Sequence, residues 1–137
     1  MRLSTKSEYA FLALLECTRA YHEDRRIKIG EISVNRKIPK KYLENILLQM
    51  KQAGLIKTKR GSGGGIMLGR KPSEITLAEV VRLMDGAIAP TLSVSTFFYE
   101  ATPLQQSPEF IDFFREIRND ISEKMETTTI EDLSPNE

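Results

Sequence analysis

The first third of the chain alternates between apolar stripes with helical spacing and short polar turns. A helix is predicted to begin at Ser4 or Thr5, where Thr5-Lys6-Ser7-Glu8 has the spacing of a capping box, and to end at residues 21–23. After a polar turn, Ile27-Lys28-Ile29 alternates like a short strand, and residues 30–36 have the pattern of a short helix. Two helices are therefore expected before residue 40.

A third helix is predicted over residues 40–53, because Pro39 suits its first position and Gly54 suits its C-terminal cap. The apolar residues of this segment share one side of the helix: Leu43, Ile46, Leu47 and Met50. The opposite side begins with polar and basic residues: Lys40, Lys41, Glu44 and Asn45. Two helices joined by a short turn, the second with such a start, are typical of a helix-turn-helix.

A β-hairpin is predicted next, because two short alternating runs, 55–60 and 66–70, flank Gly61-Ser62-Gly63-Gly64-Gly65. Lys57, Lys59 and Arg60 lie near its tip, and glycines allow backbone amides to approach phosphates. A hairpin in this place indicates the wing of a winged helix. A nucleotide-binding phosphate loop is the weaker interpretation, because no Gly-Lys-Ser/Thr follows the glycines and the next element is a strand.

The second half of the chain contains two more predicted helices. Thr76-Leu77-Ala78-Glu79 has capping-box spacing and opens a helix that stops at Gly86, which we expect to pack under the wing. Residues 87–107 show no clean period and predict a loop that includes the aromatic cluster Phe97-Phe98-Tyr99. A long helix from Ser107-Pro108 carries a broad apolar stripe: Phe110, Phe113, Phe114, Ile117, Ile121 and Met125.

A long helix without an evident partner on so small a domain commonly pairs with its copy in a homodimer. Packing on its own domain is the alternative. Residues 127–137 form an acidic tail, in which Ile130 and Leu133 could dock on the domain. We therefore predict a mainly α-helical protein with a small β-hairpin, organised as a winged helix-turn-helix domain (1–86), a loop (87–107) and a dimerisation helix with its tail (108–137).

The charges of the 137-residue chain are strongly divided, although the total is only +1. Residues 1–71 contain 16 Lys and Arg against 6 acids, a net charge of +10, and residues 72–137 contain 4 against 13, a net charge of −9. The basic half is suited to a polyanion, which would repel the acidic half. The composition, with 40% hydrophobic residues, indicates a globular chain that can bury a core.

The sequence offers little for enzymatic or metal chemistry. A single cysteine, Cys17, cannot form an internal disulfide or hold a zinc ion or an iron–sulfur cluster by itself, and we expect it to be buried in the first helix. The only histidine, His22, lies at the end of that helix. With no nucleophile and base to pair, an enzyme is not predicted. No signal peptide or membrane-spanning run is evident, so a cytoplasmic, nucleoid-associated location is expected.

Several short motifs together cover nearly the whole chain: Met1-Arg2-Leu3-Ser4-Thr5-Lys6 with Tyr9-Ala10, Ile38–Leu47, Ala53-Gly54-Leu55-Ile56, Arg60–Gly65, Ile75-Thr76-Leu77, Asp85–Pro90 and Thr127–Leu133. In residues and order they closely resemble the motifs of the Rrf-two family of bacterial winged-helix transcription regulators. The resemblance implies a homodimeric, sequence-specific regulator, in the first instance a repressor, that binds a palindromic operator in double-stranded DNA. It implies that long C-terminal helices cross in the dimer, with Phe110, Phe114, Ile117 and Ile121 as contacts.

The resemblance also implies DNA-binding residues. Glu44 matches a family glutamate that faces bases from the recognition helix, and Lys41 and Tyr42 precede it on the same surface. Arg60 and the glycine loop match the wing that enters the minor groove, with Ser62, Gly63 and Gly64 as its backbone contacts. Phosphate contacts are expected from the remaining basic residues: Arg2, Lys6, Lys37 and Lys40.

The sequence departs from cluster-binding family members in the loop before the long helix. Those members carry three cysteines there, whereas residues 91–108 contain none. A carboxylate such as Glu8, which some members use as a ligand, would bind a cluster poorly without thiolates, so a capping role is favoured for it. The chain thus resembles the cluster-free branch, which includes the cysteine metabolism repressor, and no cofactor and no metal site are predicted.

An effector ligand or a partner protein would then supply the signal. One alternative to a simple DNA-binding repressor is a regulator or adaptor that acts mainly through such a partner at residues 91–108, with conditional DNA binding. Phe97, Phe98 and Tyr99 would form its contact surface. The simpler explanation, that these aromatic residues cover the dimer core, is favoured.

Overall fold

The structure is a computed structural model that describes residues 1–135. Its helices are α1 (Thr5–His22), α2 (Ile29–Arg36), α3 (Lys40–Gln52), α4 (Leu77–Met84), α5 (Pro108–Thr127) and α6 (Ile130–Leu133). Its strands are β1 (Ile56–Lys59) and β2 (Gly65–Leu68), an antiparallel pair that aligns Ile56 with Leu68 and Lys59 with Gly65. The predicted mainly helical fold with one small hairpin is confirmed.

The core forms around α1, which packs against α2, α3, α4, α6 and β2. The inward side of α1 consists of fully buried small and aliphatic residues: Ala10, Ala13, Leu14, Cys17 and Ala20. Small side chains allow the neighbouring helices to approach closely. The predicted inner stripe of α3 is buried against this surface, at Leu43, Ile46, Leu47 and Met50.

The start of α1 differs from the prediction in its cap. Ser4 is the N-cap, and its hydroxyl accepts a hydrogen bond from the Ser7 backbone N–H over 3.1 Å. The Ser4 N–H donates to Asp85 over 3.1 Å, and the Ser4 hydroxyl also donates to that carboxylate. The predicted capping box of Thr5 and Glu8 is therefore wrong, because a residue at the end of α4 takes the reciprocal role.

The predicted strand Ile27–Ile29 is not formed in full, and only Ile27 makes a β-bridge. Ile27 pairs with Ile66 through two backbone hydrogen bonds of 2.9 and 2.7 Å, and Ile29 already begins α2. Because Ile66 belongs to β2, this β-bridge connects the segment before α2 to the hairpin.

The position of α4 also differs from the prediction. Thr76 caps the helix by accepting from the Glu79 N–H over 3.2 Å, but the Glu79 carboxylate pairs with Arg70 instead of completing a capping box. Helix α4 packs against α1 and α5, not under the wing. Its buried residues Ala78 and Val81 form a second apolar cluster that includes Ile121 of α5.

The C-terminal half of α5 and the segment after it pack on the same chain. Thr129 forms a bridge with Thr76, and the Ile130 N–H donates to the Ile75 carbonyl over 2.9 Å. Ile130 is 2% exposed and joins the main core, whereas Leu133 is 59% exposed. Of the two apolar tail residues that were expected to dock on the domain, only Ile130 does so. Positions 136–137 of the predicted tail lie outside the described residues.

Within residues 1–135, no helix is both long and apolar enough to cross a membrane.

Candidate nucleic-acid interface

The exposed side of α3 carries the residues that the sequence assigned to base and phosphate contacts. Lys40, Lys41, Tyr42 and Glu44 are all exposed, while the apolar stripe of the same helix is buried. Glu44 forms no ion pair within residues 1–135, so its carboxylate is available as an acceptor. The first two turns of α3 thus present two ammonium groups, a phenol and a carboxylate to solvent.

The turn before α3 is held by short-range hydrogen bonds. Lys37 adopts the left-handed conformation with φ 54°, which ends α2. The Ser33 hydroxyl donates to the Ile38 carbonyl over 2.6 Å, and the Ile38 N–H donates to the Ser33 carbonyl over 3.1 Å. With Ile38 buried in the core, these bonds fix the angle between α2 and α3. Lys37 itself remains exposed beside the start of α3.

An aromatic contact supports the exposed side of α3. The rings of Tyr9 and Tyr42 pack edge to face, with centroids 5.5 Å apart and an interplanar angle of 84°. Tyr42 is thereby held by α1, on the same turn of α3 that carries Lys41. The sequence alone missed Tyr9, because its position in an apolar run indicates only a core residue.

The wing depends on glycine at its tip. Gly61 and Gly63 have positive φ values of 87° and 74°, which glycine adopts readily. A Cβ on Gly64 would lie 2.4 Å from the Lys59 carbonyl oxygen, so only glycine fits there. Gly64 is buried, and its N–H donates to the Gly61 carbonyl over 2.9 Å. It therefore closes the turn, and its N–H is already used within the loop.

The remaining wing residues of the predicted set, Arg60, Ser62 and Gly63, are exposed. Arg26 donates to the Gly63 carbonyl over 3.4 Å and links the tip to the segment before α2. One shallow groove joins α3 to the wing, lined by Glu44 and Lys51 on one side and by Thr58 and Lys59 on the other. The structure therefore brings the predicted base-contacting helix and the cationic hairpin together.

The N-terminal segment lies immediately before the first turn of α1, where Ser4 is hydrogen-bonded to Asp85. Arg2 is exposed and Lys6 is half-buried. Burial would raise the pKa of Asp85, but the hydrogen bonds from Ser4, together with smaller contributions from Ser7 and the charge of Lys6, outweigh it, so the pKa lies below its usual 3.8. A carboxylate that stays ionised keeps the start of α1 attached to the end of α4.

The predicted dimerisation residues separate into two groups. On the N-terminal half of α5, Phe110 is 57% exposed, and Phe114 and Ile117 are half-buried. Their neighbour Phe113 is 56% exposed. Ile121 instead packs on the apolar cluster of α4, so the structure gives it a partner within its own chain. Arg118 donates to the Val94 carbonyl over 2.7 Å and fixes α5 to the preceding loop.

Comparison with known proteins decides the family. The sequence pattern of the family described as "Rrf2: Iron-dependent Transcriptional regulator" matches residues 3–136. The chain belongs to the Rrf2 family. It is 28% identical to the HTH-type transcriptional regulator CymR of Bacillus subtilis (strain 168), over 98% of this chain and 90% of that one. It is 36% identical to an rrf2-like HTH-type regulator of Rhodobacter capsulatus, over 72% of this chain and 67% of that one.

Solved structures agree with this assignment. The structure of CymR, the global cysteine regulator of B. subtilis, superimposes with a TM-score of 0.83 at 28% identity, covering 98% of this chain and 96% of that one. The T. potens IscR structure matches in fold with a TM-score of 0.74. As an Rrf2 protein the chain is a winged-helix, DNA-binding transcriptional regulator and not an enzyme, which confirms the predicted family, fold and class of function.

The family description names iron, so the available ligands matter. The only thiol, Cys17, is fully buried among the core residues of α1, and burial raises its pKa to about 12. A neutral, enclosed thiol is a poor iron ligand. The part of the chain that the structure describes contains no group of three or more His, Cys, Asp or Glu side chains that could hold a metal ion. These residues do not fit a cysteine-held iron–sulfur cluster.

Proposed function

We propose that this Rrf2 protein is a homodimeric repressor that binds a palindromic operator through α3 and the wing, without a cysteine-ligated iron–sulfur cluster. The observation that carries the proposal is the shared groove that Glu44 of α3 and Lys59 of the wing both line. It would act in the bacterial cytoplasm, where its DNA target is found.

Base recognition is assigned to α3. An α-helix fits the major groove, where a carboxylate such as Glu44 can accept a hydrogen bond from the N4 amino group of cytosine. Lys40 and Lys41 on the same exposed turn would contact phosphates and fix the position of the helix. Tyr42, held against Tyr9, would contact the DNA beside them. Glu44 is the residue most able to add sequence preference, because lysine–phosphate contacts are largely independent of sequence.

The wing is assigned to the neighbouring minor groove. Arg60 is exposed at the tip, and an arginine in that groove senses its width and potential. Ser62 and Gly63 offer backbone groups for phosphates. Arg2, Lys6 and Lys37 are assigned to phosphate contacts around α3, which raise affinity in a salt-dependent manner.

The homodimer is supported by the N-terminal half of α5, where Phe110 and Phe113 are more than half exposed. Large aromatic residues left in water on one side of a helix favour an interface. Phe110, Phe114 and Ile117 are proposed as contacts with a second copy, whereas Ile121 is assigned to the contact between α5 and α4. On this basis residues 1–86 form the DNA-binding unit, residues 87–107 the connecting loop, and the first half of α5 the dimer contact.

The second half of α5 and the whole of α6 are assigned to the contact with the DNA-binding unit, because Ile130 of α6 lies in the core of that unit. The loop residues Phe97, Phe98 and Tyr99 are exposed, and the Arg82 guanidinium of α4 lies 4.7 Å from the centroid of the Phe97 ring. They are the place where an effector or a partner protein would act on the dimer.

The role of Glu44 is tested by measuring affinity for a selected operator and for its single-base variants. In wild-type protein, one symmetry-related pair of operator positions should discriminate against wrong bases by about 1–3 kcal/mol per base pair. Glu44→Ala should remove that discrimination and leave the preferences at other positions intact.

Glu74→Ala is the matched control, because Glu74 is also an exposed glutamate but lies after the wing in another part of the domain. It should retain the full preference. Unchanged discrimination in Glu44→Ala, or equal losses in both variants, would remove Glu44 from the base-reading role.

A further inference from the structure

A pocket with a volume of about 390 Å³ opens between α1, the end of α2 and α6. Its charged lining residues are Glu16, Arg19, His22, Glu23, Arg36 and Glu131. A volume of this order falls within the range of small-molecule sites. None of these residues has a role in the DNA contacts proposed above.

The deepest charged group in this pocket is the carboxylate of Glu16. Glu16 is 1% exposed, although it lies on α1 next to the core residue Cys17. Arg19 Nη2 lies 2.9 Å from Glu16 Oε2, and Arg36 Nε lies 3.6 Å from Oε1. Within residues 1–135, Oε2 accepts no hydrogen bond of normal geometry. A buried charge is costly unless it is well paired and hydrogen-bonded, so this carboxylate can gain from a further donor.

The charges around Glu16 alternate in sign. Arg19 lies between Glu16 and Glu23, the latter 3.9 Å away, and His22 Nε2 lies 2.8 Å from Glu131 Oε2. A ligand with a single charge, of either sign, would be repelled by one member of each of these pairs. A ligand with an anionic group and a cationic group close together can instead pair with both. The lining therefore favours a small zwitterion over a simple anion or cation.

We propose that this pocket binds a free α-amino acid. Its carboxylate is received by the guanidinium groups of Arg19 and Arg36, whose planar N–H donors suit a carboxylate. Its ammonium group is received by the carboxylates of Glu16 and Glu131. Arg36 ends α2 immediately before the turn to α3, and Glu131 lies on α6 after α5. A ligand in this position contacts both the element before the recognition helix and the segment that follows the dimer helix.

Binding is tested on the full chain without DNA, so that its result does not depend on the proposed function. Each standard amino acid is titrated into ¹⁵N-labelled protein while backbone amide shifts are recorded. We expect at least one to give saturable shifts at residues 15–23, 34–36 and 130–135, with a Kd below about 1 mM. The amine that lacks the carboxylate and the acid that lacks the ammonium group should each bind at least tenfold more weakly.

Arg36→Gln should weaken binding by the amino acid at least tenfold. Arg82→Gln is the matched control, because Arg82 is similarly half-buried and pairs with Glu126 on another part of the surface; it should bind as the wild type does. Thermal unfolding checks that both variants are folded. The proposal is overturned if no amino acid gives saturable shifts in these segments, if the decarboxylated amine binds equally well, or if the folded Arg36→Gln protein binds unchanged.

Discussion

Replacing Ile130 with alanine removes a side chain that the short helix α6 inserts into the main hydrophobic core around α1. Ile130 is 2% exposed, and replacement of a buried isoleucine by alanine costs about 2–5 kcal/mol. We expect a value near the lower end, about 2–3 kcal/mol, because α6 has only 4 residues and lies at the edge of the core, where the neighbours can move into the space.

The assay is urea-induced unfolding of the full chain at one fixed protomer concentration, because dimerisation would make the apparent stability depend on concentration. Leu133→Ala is the control from the same helix. Leu133 is 59% exposed, so its replacement should change the free energy of unfolding by less than about 0.5 kcal/mol. If Ile130→Ala and Leu133→Ala had the same small effect, the docking of α6 on the core would be refuted.

Three further predictions concern other parts of the chain. Asp85→Asn should lower stability at about pH 7, and this loss should shrink as the pH falls below 3.8, because the folded pKa of Asp85 is below 3.8 and its contribution is lost as the pH falls through the folded pKa. Urea unfolding over a series of pH values would show this, and a loss that does not change with pH would contradict the role of its charge. Cys17 should resist thiol reagents in the folded protein and react after denaturation, because burial raises its pKa to about 12; rapid labelling of the native protein would contradict its enclosure. Phe110→Asp should shift the protein toward monomer in sedimentation equilibrium, whereas Val34→Asp, at an exposed position of α2, should not; a dimer that persists in Phe110→Asp would place the interface elsewhere.

Sequence periodicity predicted the elements whose apolar residues face one core. Helix α3 is the clearest case, since Leu43, Ile46, Leu47 and Met50 recur with helical spacing and all are buried. The wing was predicted because its glycines and flanking alternation are local signals. In both elements the decisive information lies within a few residues of sequence.

Features that depend on distant residues were not predicted. The cap of α1 involves Asp85, which is 81 positions from Ser4, and no local pattern indicates that partner. Ile121 matches the apolar stripe of α5 but packs on α4, because a periodic stripe shows that a face is apolar without showing what covers it. The role of Gly64 in closing the turn was also not predicted, because its close approach to the Lys59 carbonyl becomes visible only in three dimensions.

Selection of binding sites from a random DNA library by the purified wild-type chain, at several salt concentrations, tests DNA recognition by α3 and the wing most directly. The account predicts one enriched palindromic motif with equivalent half-sites about one helical turn (~34 Å) or a multiple apart. It also predicts that the logarithm of the binding constant falls with the logarithm of salt by about 0.9 for each phosphate neutralised. Enrichment of no motif, or of a motif without two-fold symmetry, would contradict it.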